Sequence, residues 1–284
     1  MNFQKIGFIG LGLIGGSIAK AVKQHFPAID MIATSGHVET IHLAHADGVI
    51  SNDDLPELSA FSDCDLIFLC CPVKKNLEYL KELQPILSPA CILTDVGSVK
   101  GDIHHAITEL GLEQNFIGGH PMTGSEKTGY QASFPRLFEN TYYILTPTEK
   151  TGQAALTKLR DFVVALGASP MIMEPDLHDR AVAVISHLPH IAAAGLVHMI
   201  ARSDDSEHTM KRIAAGGFRD LTRIASSSPI MWESICASNR EQILQALTAY
   251  KEILTEIQEK ILAEDEQAVL QFFADSKEYR DSMK

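Results

Sequence analysis

Lys5-Ile6-Gly7-Phe8-Ile9 runs directly into Gly10-Leu11-Gly12-Leu13-Ile14-Gly15, a short apolar stretch followed by G-x-G-x-x-G. The stretch predicts a strand. Ile14 to His25 has the apolar spacing of a helix and stops before Pro27. In that setting each glycine has its own task. Gly10 permits a tight turn, Gly12 lets the backbone approach a pyrophosphate, and Gly15 lets helix and strand pack closely. The anion then faces the helix N-terminus, where unpaired N–H groups and the dipole favour negative charge. Strand, turn and helix together predict a dinucleotide site at Gly10, Gly12, Leu13, Ile14 and Gly15.

Working outward, Ile29–Ala33, Asp65–Cys71, Cys91–Val96 and Phe116–Gly119 read as further strands. They alternate with helices predicted over His37–Ala46, Lys74–Leu87 and Val99–Leu110. Continuous apolar strands alternating with helices imply a parallel sheet covered on both faces. Tyr142–Thr146 and Pro170–Glu174 add two strands, with a helix Gly152–Leu166 between them. After Pro175 the strand pattern stops. Leu177–Arg202 is long, apolar and rich in alanine, with Pro189 as a predicted kink. Ile230–Ala263 reads as one or two long helices, started by a serine cap and a proline at Ser228-Pro229. Glu264–Lys284 is a charged amphipathic tail. The fold class expected is α/β: an N-terminal Rossmann-type, doubly wound parallel sheet over residues 1–172, then an all-α domain over 173–284. Helices apolar on several faces must bury them somewhere, and dimerisation through them is expected.

The chain has 284 residues, and 24 Lys+Arg against 36 Asp+Glu give a net charge of −12. An acidic surface repels phosphate backbones and anionic lipid, so neither nucleic acid nor membrane is expected as a main partner. A small anionic substrate would need a local cationic site. The 5 cysteines are odd in number and form no C-x-x-C, which suits reduced core thiols. No targeting segment is recognised, and no apolar stretch is read as reaching the roughly 20 residues of a bilayer span. A cytoplasmic protein is expected.

Further segments carry chemistry. The second strand would end in an acid if NAD ribose were held in the usual way. Here it runs Thr34-Ser35-Gly36-His37, so Ser35 takes that place, and no arginine follows for a 2′-phosphate. NAD is expected, with NADP left open. Cys71, Pro72 and Val73, after the third strand, complete the expected cofactor contacts. His120 lies in Gly118-Gly119-His120-Pro121-Met122 at a strand end, and a neutral imidazole there can accept a hydroxyl proton while hydride leaves the adjoining carbon. Ser98, in Asp95-Val96-Gly97-Ser98, is a candidate hydrogen-bond partner for His120 or substrate and a candidate helix N-cap before Val99, two roles that are compatible. His187 and His190 share a helical face, as core residues or substrate contacts, and with no third ligand they predict no metal site. Arg219 and Arg223, four apart, present guanidinium groups suited to a carboxylate unless Asp220 and other acids occupy them.

Gly10–Ser17 (GLGLIGGS), Asp95–Gly101 (DVGSVKG), Gly118–Glu126 (GGHPMTGSE), Ser186–His190 (SHLPH) and Gly216–Ala225 (GGFRDLTRIA) occur in this order. As a set they resemble the prephenate/arogenate dehydrogenase family of tyrosine biosynthesis. The resemblance implies a Rossmann domain, a helical dimerisation domain, and a cleft between them in which NAD(P)+ oxidatively decarboxylates prephenate. It implies that His120 accepts a hydrogen bond from the ring hydroxyl and that Ser98 orients this histidine and the substrate. It implies that Arg223 grips the ring carboxylate of the dianion, and that His190, with His187 of the same motif, contacts substrate. Arg219 stands where the family often has a lysine or other cation, and Glu126 matches an acid at the cleft entrance. Neither the amino-acid-sensing domain nor the fused mutase of some members is expected in this chain. Arogenate is the alternative substrate. A β-hydroxyacid dehydrogenase would carry a lysine where SHLPH stands, and a non-catalytic NAD(P)-binding sensor would not need an intact GGHPMTGSE.

Overall fold

The computed structural model describes residues 3–124 and 127–283. Four strands, β1 (Lys5–Ile9), β2 (Asp30–Thr34), β3 (Leu66–Leu69) and β4 (Ile92–Asp95), form a parallel sheet in the order β2-β1-β3-β4. Helices α1 (Leu13–His25), α2 (Val38–Ala46), α3 (Val73–Leu83) and α4 (Gly101–Glu109) connect or follow them. Both faces of the sheet are buried, which is why its strands lack polar alternation. Ile6, Phe8 and Phe68 pack on one face with Ile18, Val22 and Phe162; Ile9, Ile67 and Leu69 pack on the other with Leu80, Ile103 and Phe116. The rings of Phe8 and Phe68 stack at 5.3 Å.

The remaining strands depart from the expected all-parallel arrangement. β5 (Ile117–Pro121) and β6 (Tyr142–Pro147) are antiparallel, and β7 (Ser169–Ile172) is parallel to β6 across α5 (Gln153–Ala165). The physical reason lies in the connections. A parallel pair needs a crossover, usually a helix, and α5 supplies one between β6 and β7. Between β5 and β6 the described chain has only a single 3₁₀ turn, Tyr130–Ala132. A parallel bridge from Leu93 to Phe116 sets β5 beside β4.

The helical half holds α6 (Pro175–Val182), α7 (Leu188–Ser203), α8 (Thr209–Ile213), α9 (Gly216–Thr222), α10 (Pro229–Ser238), α11 (Arg240–Leu262) and α12 (Glu266–Ser282). Where a kink at Pro189 was expected, a π turn spans Ala183–His187, and the Leu188 N–H bonds the Ala183 carbonyl five residues back. Pro189 has no N–H to continue the α pattern, and the wider turn absorbs the defect before the helix resumes. The Ser228 hydroxyl caps α10 through the Met231 N–H, as its sequence suggested.

One expectation is corrected outright. Pro175–Ser203 is long and apolar enough, by length and composition, to cross a bilayer, with mean hydropathy 1.5 in its best window. Only 17% of that window is buried within the single chain. The π turn, in place of a kink at Pro189, keeps the stretch continuous. The excess of exposed apolar surface extends over the whole helical half, where Ile185, Ile213, Ile230, Leu262, Leu270 and Phe273 are all exposed. The chain has 16162 Å² of accessible surface. A compact monomer of 31.1 kDa would have about 12,000 Å², so about 4,000 Å² is left without internal cover.

Candidate active site

At the glycine turn the three glycines meet different surroundings. Gly10 has φ +97°, and a Cβ there would lie 2.8 Å from Cys71 Sγ. A Cβ on Gly15 would lie 2.6 Å from the Gly10 carbonyl oxygen. Gly12, the N-cap of α1, has nothing within 4 Å of that position. Packing inside the protein therefore accounts for Gly10 and Gly15 but not for Gly12, whose bare backbone borders open space beside a helix N-terminus. That is the shape a pyrophosphate requires. Leu13 and Ile14 begin the helix and are half-buried.

Across the turn, Cys71, Pro72 and Val73 join β3 to α3. A residue the sequence reading missed, buried Asn76, holds this segment. Its Oδ1 accepts the Cys71 N–H at 3.1 Å and its Nδ2 donates to the Cys71 carbonyl at 2.9 Å. Ser35 follows β2 and is half-buried. No carboxylate ends β2, and Thr34 to Thr40 contains no lysine or arginine.

His120 sits on β5, at the carboxyl side of the sheet. The preceding peptide is clamped by the buried ion pair of Asp95 and Lys100. Asp95 Oδ1 accepts the Gly119 N–H at 3.0 Å, and Lys100 Nζ donates to the Gly119 carbonyl at 2.8 Å. A Cβ on Gly119 would lie 2.5 Å from the Asp95 carbonyl oxygen, so close strand packing demands that glycine. Burial pushes the Lys100 amine down, against the pull of Asp95.

His120 Nδ1 is hydrogen-bonded to His178 Nε2 at 2.8 Å, and His178 Nδ1 to Asp179 Oδ1 at 2.7 Å. Both partners are buried and come from α6, in the helical half. The same Asp179 carboxylate caps α4, accepting the Lys100 N–H and the Gly101 N–H at 2.8 Å each. Ser98 is therefore not the cap. Its half-buried hydroxyl has no hydrogen-bond partner among the described residues, His120 included. Burial first, and the charges of His178, Lys100 and His187 after it, hold the His120 imidazole well below the usual histidine value.

His187 and His190 converge on Trp232. The His190 ring lies 4.1 Å from it, and the His187 ring meets it edge-on at 5.9 Å. Asn239 Nδ2 donates to His187 Nδ1 at 3.2 Å and to the Asp179 carbonyl at 2.8 Å. Burial holds His187 down at about 4. His190 Nδ1 donates to the Ser186 carbonyl at 2.9 Å, leaving Nε2 for another partner. The α9 helix and the 3₁₀ turn Arg223–Ser226 pack on α7. Arg219 and Arg223, on that helix and turn, are exposed and form no ion pair among the described residues, so Asp220 does not neutralise them. Glu126 lies outside the described residues. No cluster of three or more metal-ligating side chains occurs among the described residues.

A glycine turn open to a pyrophosphate, a half-buried histidine at a strand end and arginines without an ion pair among the described residues on an adjoining helical domain define a two-domain, dinucleotide-dependent dehydrogenase. Two family models match the chain: "Prephenate dehydrogenase, nucleotide-binding domain" over residues 18–172 and "Prephenate dehydrogenase, dimerization domain" over residues 174–275. A prephenate dehydrogenase of Bacillus subtilis is 39% identical over 276 residues, covering 96% of this chain and 74% of the relative. A cyclohexadienyl dehydrogenase of Zymomonas mobilis is 31% identical, covering 99% and 97% of the two chains. The crystal structure of prephenate dehydrogenase from A. aeolicus with hydroxyphenyl propionate and NAD+ superposes with TM-score 0.93 at 32% identity, covering 100% of this chain and 99% of the other. The chain belongs to the prephenate dehydrogenase family.

Proposed function

We propose that the protein oxidatively decarboxylates prephenate to 4-hydroxyphenylpyruvate and CO2, with residues 1–172 holding NAD+ and residues 173–284 supplying substrate contacts and a homodimer interface. The observation that carries this reading is His120, a half-buried imidazole on β5 held by the helical half of the molecule through His178. Bound NAD+ supplies the acceptor for the hydride of the hydroxyl-bearing ring carbon. His120 Nε2 takes the hydroxyl proton as the C–H bond breaks. Loss of CO2 from the opposite ring carbon then sends its electron pair through the ring to the oxygen, which takes the proton back from His120 as the aromatic phenol forms. The Ser98 hydroxyl donates to the substrate oxygen. Arg223, with Arg219 beside it, binds the carboxylates that an acidic surface would otherwise repel. His190 and His187 border the substrate on the side of Trp232.

Gly12, Leu13 and Ile14 cradle the pyrophosphate, with Gly10 and Gly15 shaping the turn and Cys71, Pro72 and Val73 along the neighbouring edge. Ser35 faces the adenosine ribose. Lack of a cation from Thr34 to Thr40 favours NAD+ over its 2′-phosphorylated form. The uncovered area of about 4,000 Å² per chain would bury about 8,000 Å² in a dimer, the scale of the largest obligate subunit interfaces, and supports the dimer. Such an enzyme would work in the cytoplasm. Initial rates on prephenate and arogenate, each with NAD+ and NADP+, test the proposal. Fastest turnover with prephenate and NAD+ is expected, faster turnover of arogenate reassigns the substrate, and no turnover in any arm sinks the dehydrogenase.

A further inference from the structure

We propose that Asp179, acting through His178, sets the tautomer of His120, so that His178 and Asp179 are positioning residues of the reaction centre. The inference rests on the proposed role of His120, and it adds the device that keeps the correct nitrogen bare.

Asp179 receives the Lys100 N–H and the His178 ring on Oδ1 and the Gly101 N–H on Oδ2. The backbone N–H groups of Lys100 and Gly101 donate one to each of its oxygens, and the carboxylate lies at a helix N-terminus, where negative charge is favoured. It can only accept. The proton between Asp179 and His178 must then sit on His178 Nδ1. A neutral imidazole carries one N–H, so His178 Nε2 is left with a lone pair. That lone pair faces His120 Nδ1 at 2.8 Å, and the bond exists only if His120 Nδ1 carries a proton. His120 Nε2 is consequently the bare nitrogen, the one required to take a proton from a hydroxyl. In the opposite tautomer two lone pairs would face each other in a buried contact.

The surroundings reinforce this state. The groups facing His120 are His178 from α6, His187 from the π turn and Lys100 from the segment before α4. Lys100 is itself paired with Asp95 at the end of β4. When Nε2 accepts the substrate proton, the new imidazolium keeps its Nδ1–H bond to His178, whose Nδ1–H remains on the Asp179 carboxylate. No second proton needs to move. The chain of bonds crosses from β5 to α6, so the base is correctly protonated only when the two halves of the molecule are docked.

The test uses the full-length protein labelled with ¹⁵N at histidine, with long-range ¹H–¹⁵N correlation reading each ring and His120→Asn assigning the signal. In the wild type, His120 is expected as Nδ1–H with bare Nε2. Asp179→Asn can donate as well as accept, and it is expected to shift the His120 signal toward Nε2–H. It should lower kcat about 100-fold while KM for prephenate and NAD+ stays within about twofold, since a wrong tautomer removes the base but not the binding groups. His178→Gln leaves both caps of α4 in place and decides the matter if Asp179→Asn fails to fold. A His120 that stays Nδ1–H in the folded variants, or that keeps wild-type kcat, overturns the proposal. A wild type that turns over no prephenate overturns the proposed function instead, while the ring signals still report the tautomer.

Discussion

Replacing Gly12 by alanine separates a cofactor glycine from a packing glycine. The new methyl group meets no protein atom within 4 Å, and the backbone at φ −83°, ψ −153° is one that L-residues adopt. Alanine is a poorer N-cap than glycine, a loss of roughly 0.5 kcal/mol. For a chain of this size that lowers Tm by about 1–2 °C. On the ligand side the same methyl stands where the pyrophosphate must approach. Forcing one extra carbon into a fitted contact costs roughly 1–3 kcal/mol, which raises Kd for NAD+ about 5- to 150-fold. Gly15→Ala is the internal control. Its Cβ would lie 2.6 Å from the Gly10 carbonyl oxygen and 3.0 Å from Cys70 Cβ, so the roughly 1–3 kcal/mol falls on folding instead. Calorimetric titration with NAD+ and thermal melting of the apoprotein read the two effects apart. Wild-type NAD+ affinity in Gly12→Ala, or melting as low as that of Gly15→Ala, refutes the assignment of the turn.

His120→Asn is expected to lower kcat by roughly 10²–10⁴, the usual share of a general base, and near-wild-type turnover in a steady-state assay removes His120 from the chemistry. Arg223→Ala loses a charge-assisted contact of roughly 1.5–3 kcal/mol, so KM for prephenate should rise about 10- to 150-fold with KM for NAD+ little changed; an unaltered prephenate KM makes Arg223 structural. The folded protein keeps His104 and His187 neutral down to about 4, whereas the unfolded chain protonates them near 6.5. Because the unfolded state binds the extra protons, stability is full above that upper value and falls with pH through the window, by at most about 1.4 kcal/mol per pH unit for each histidine. Urea midpoints that do not fall between pH 7 and pH 5 contradict this burial. Light scattering should give twice the 31.1 kDa chain mass, and a monomer contradicts the interface assigned to the helical half.

The sheet around the glycine turn was legible because its signals are local: apolar runs, a glycine spacing, helical periodicity. His120 stood out for the same reason, at the end of a strand and after two glycines. What holds it was not legible. His178 and Asp179 lie 58 and 79 residues from their partners His120 and Lys100, and the pattern around them, Pro175-Asp176-Leu177-His178-Asp179, reads as an ordinary helix start. Lys100 was hidden by its charge, since a lysine is seldom fully buried unless paired, and its partner Asp95 is five residues away at the end of a strand. The antiparallel pairing of β6 with β5 depends on a connection whose described residues hold a 3₁₀ turn and no crossover helix, which periodicity does not report.

The Asp179 cap also governs how the cleft can open. Swinging the helical half away from the sheet would strip the amino end of α4 of the Asp179 carboxylate that accepts from it. Two N–H groups would be stranded, each at a cost of roughly 1–3 kcal/mol unless water reached them. Wide breathing between the halves is thus opposed at its root. Reactants are expected to enter and leave along the exposed rim of arginines and glycines, with the spacing between sheet and helices close to constant throughout turnover.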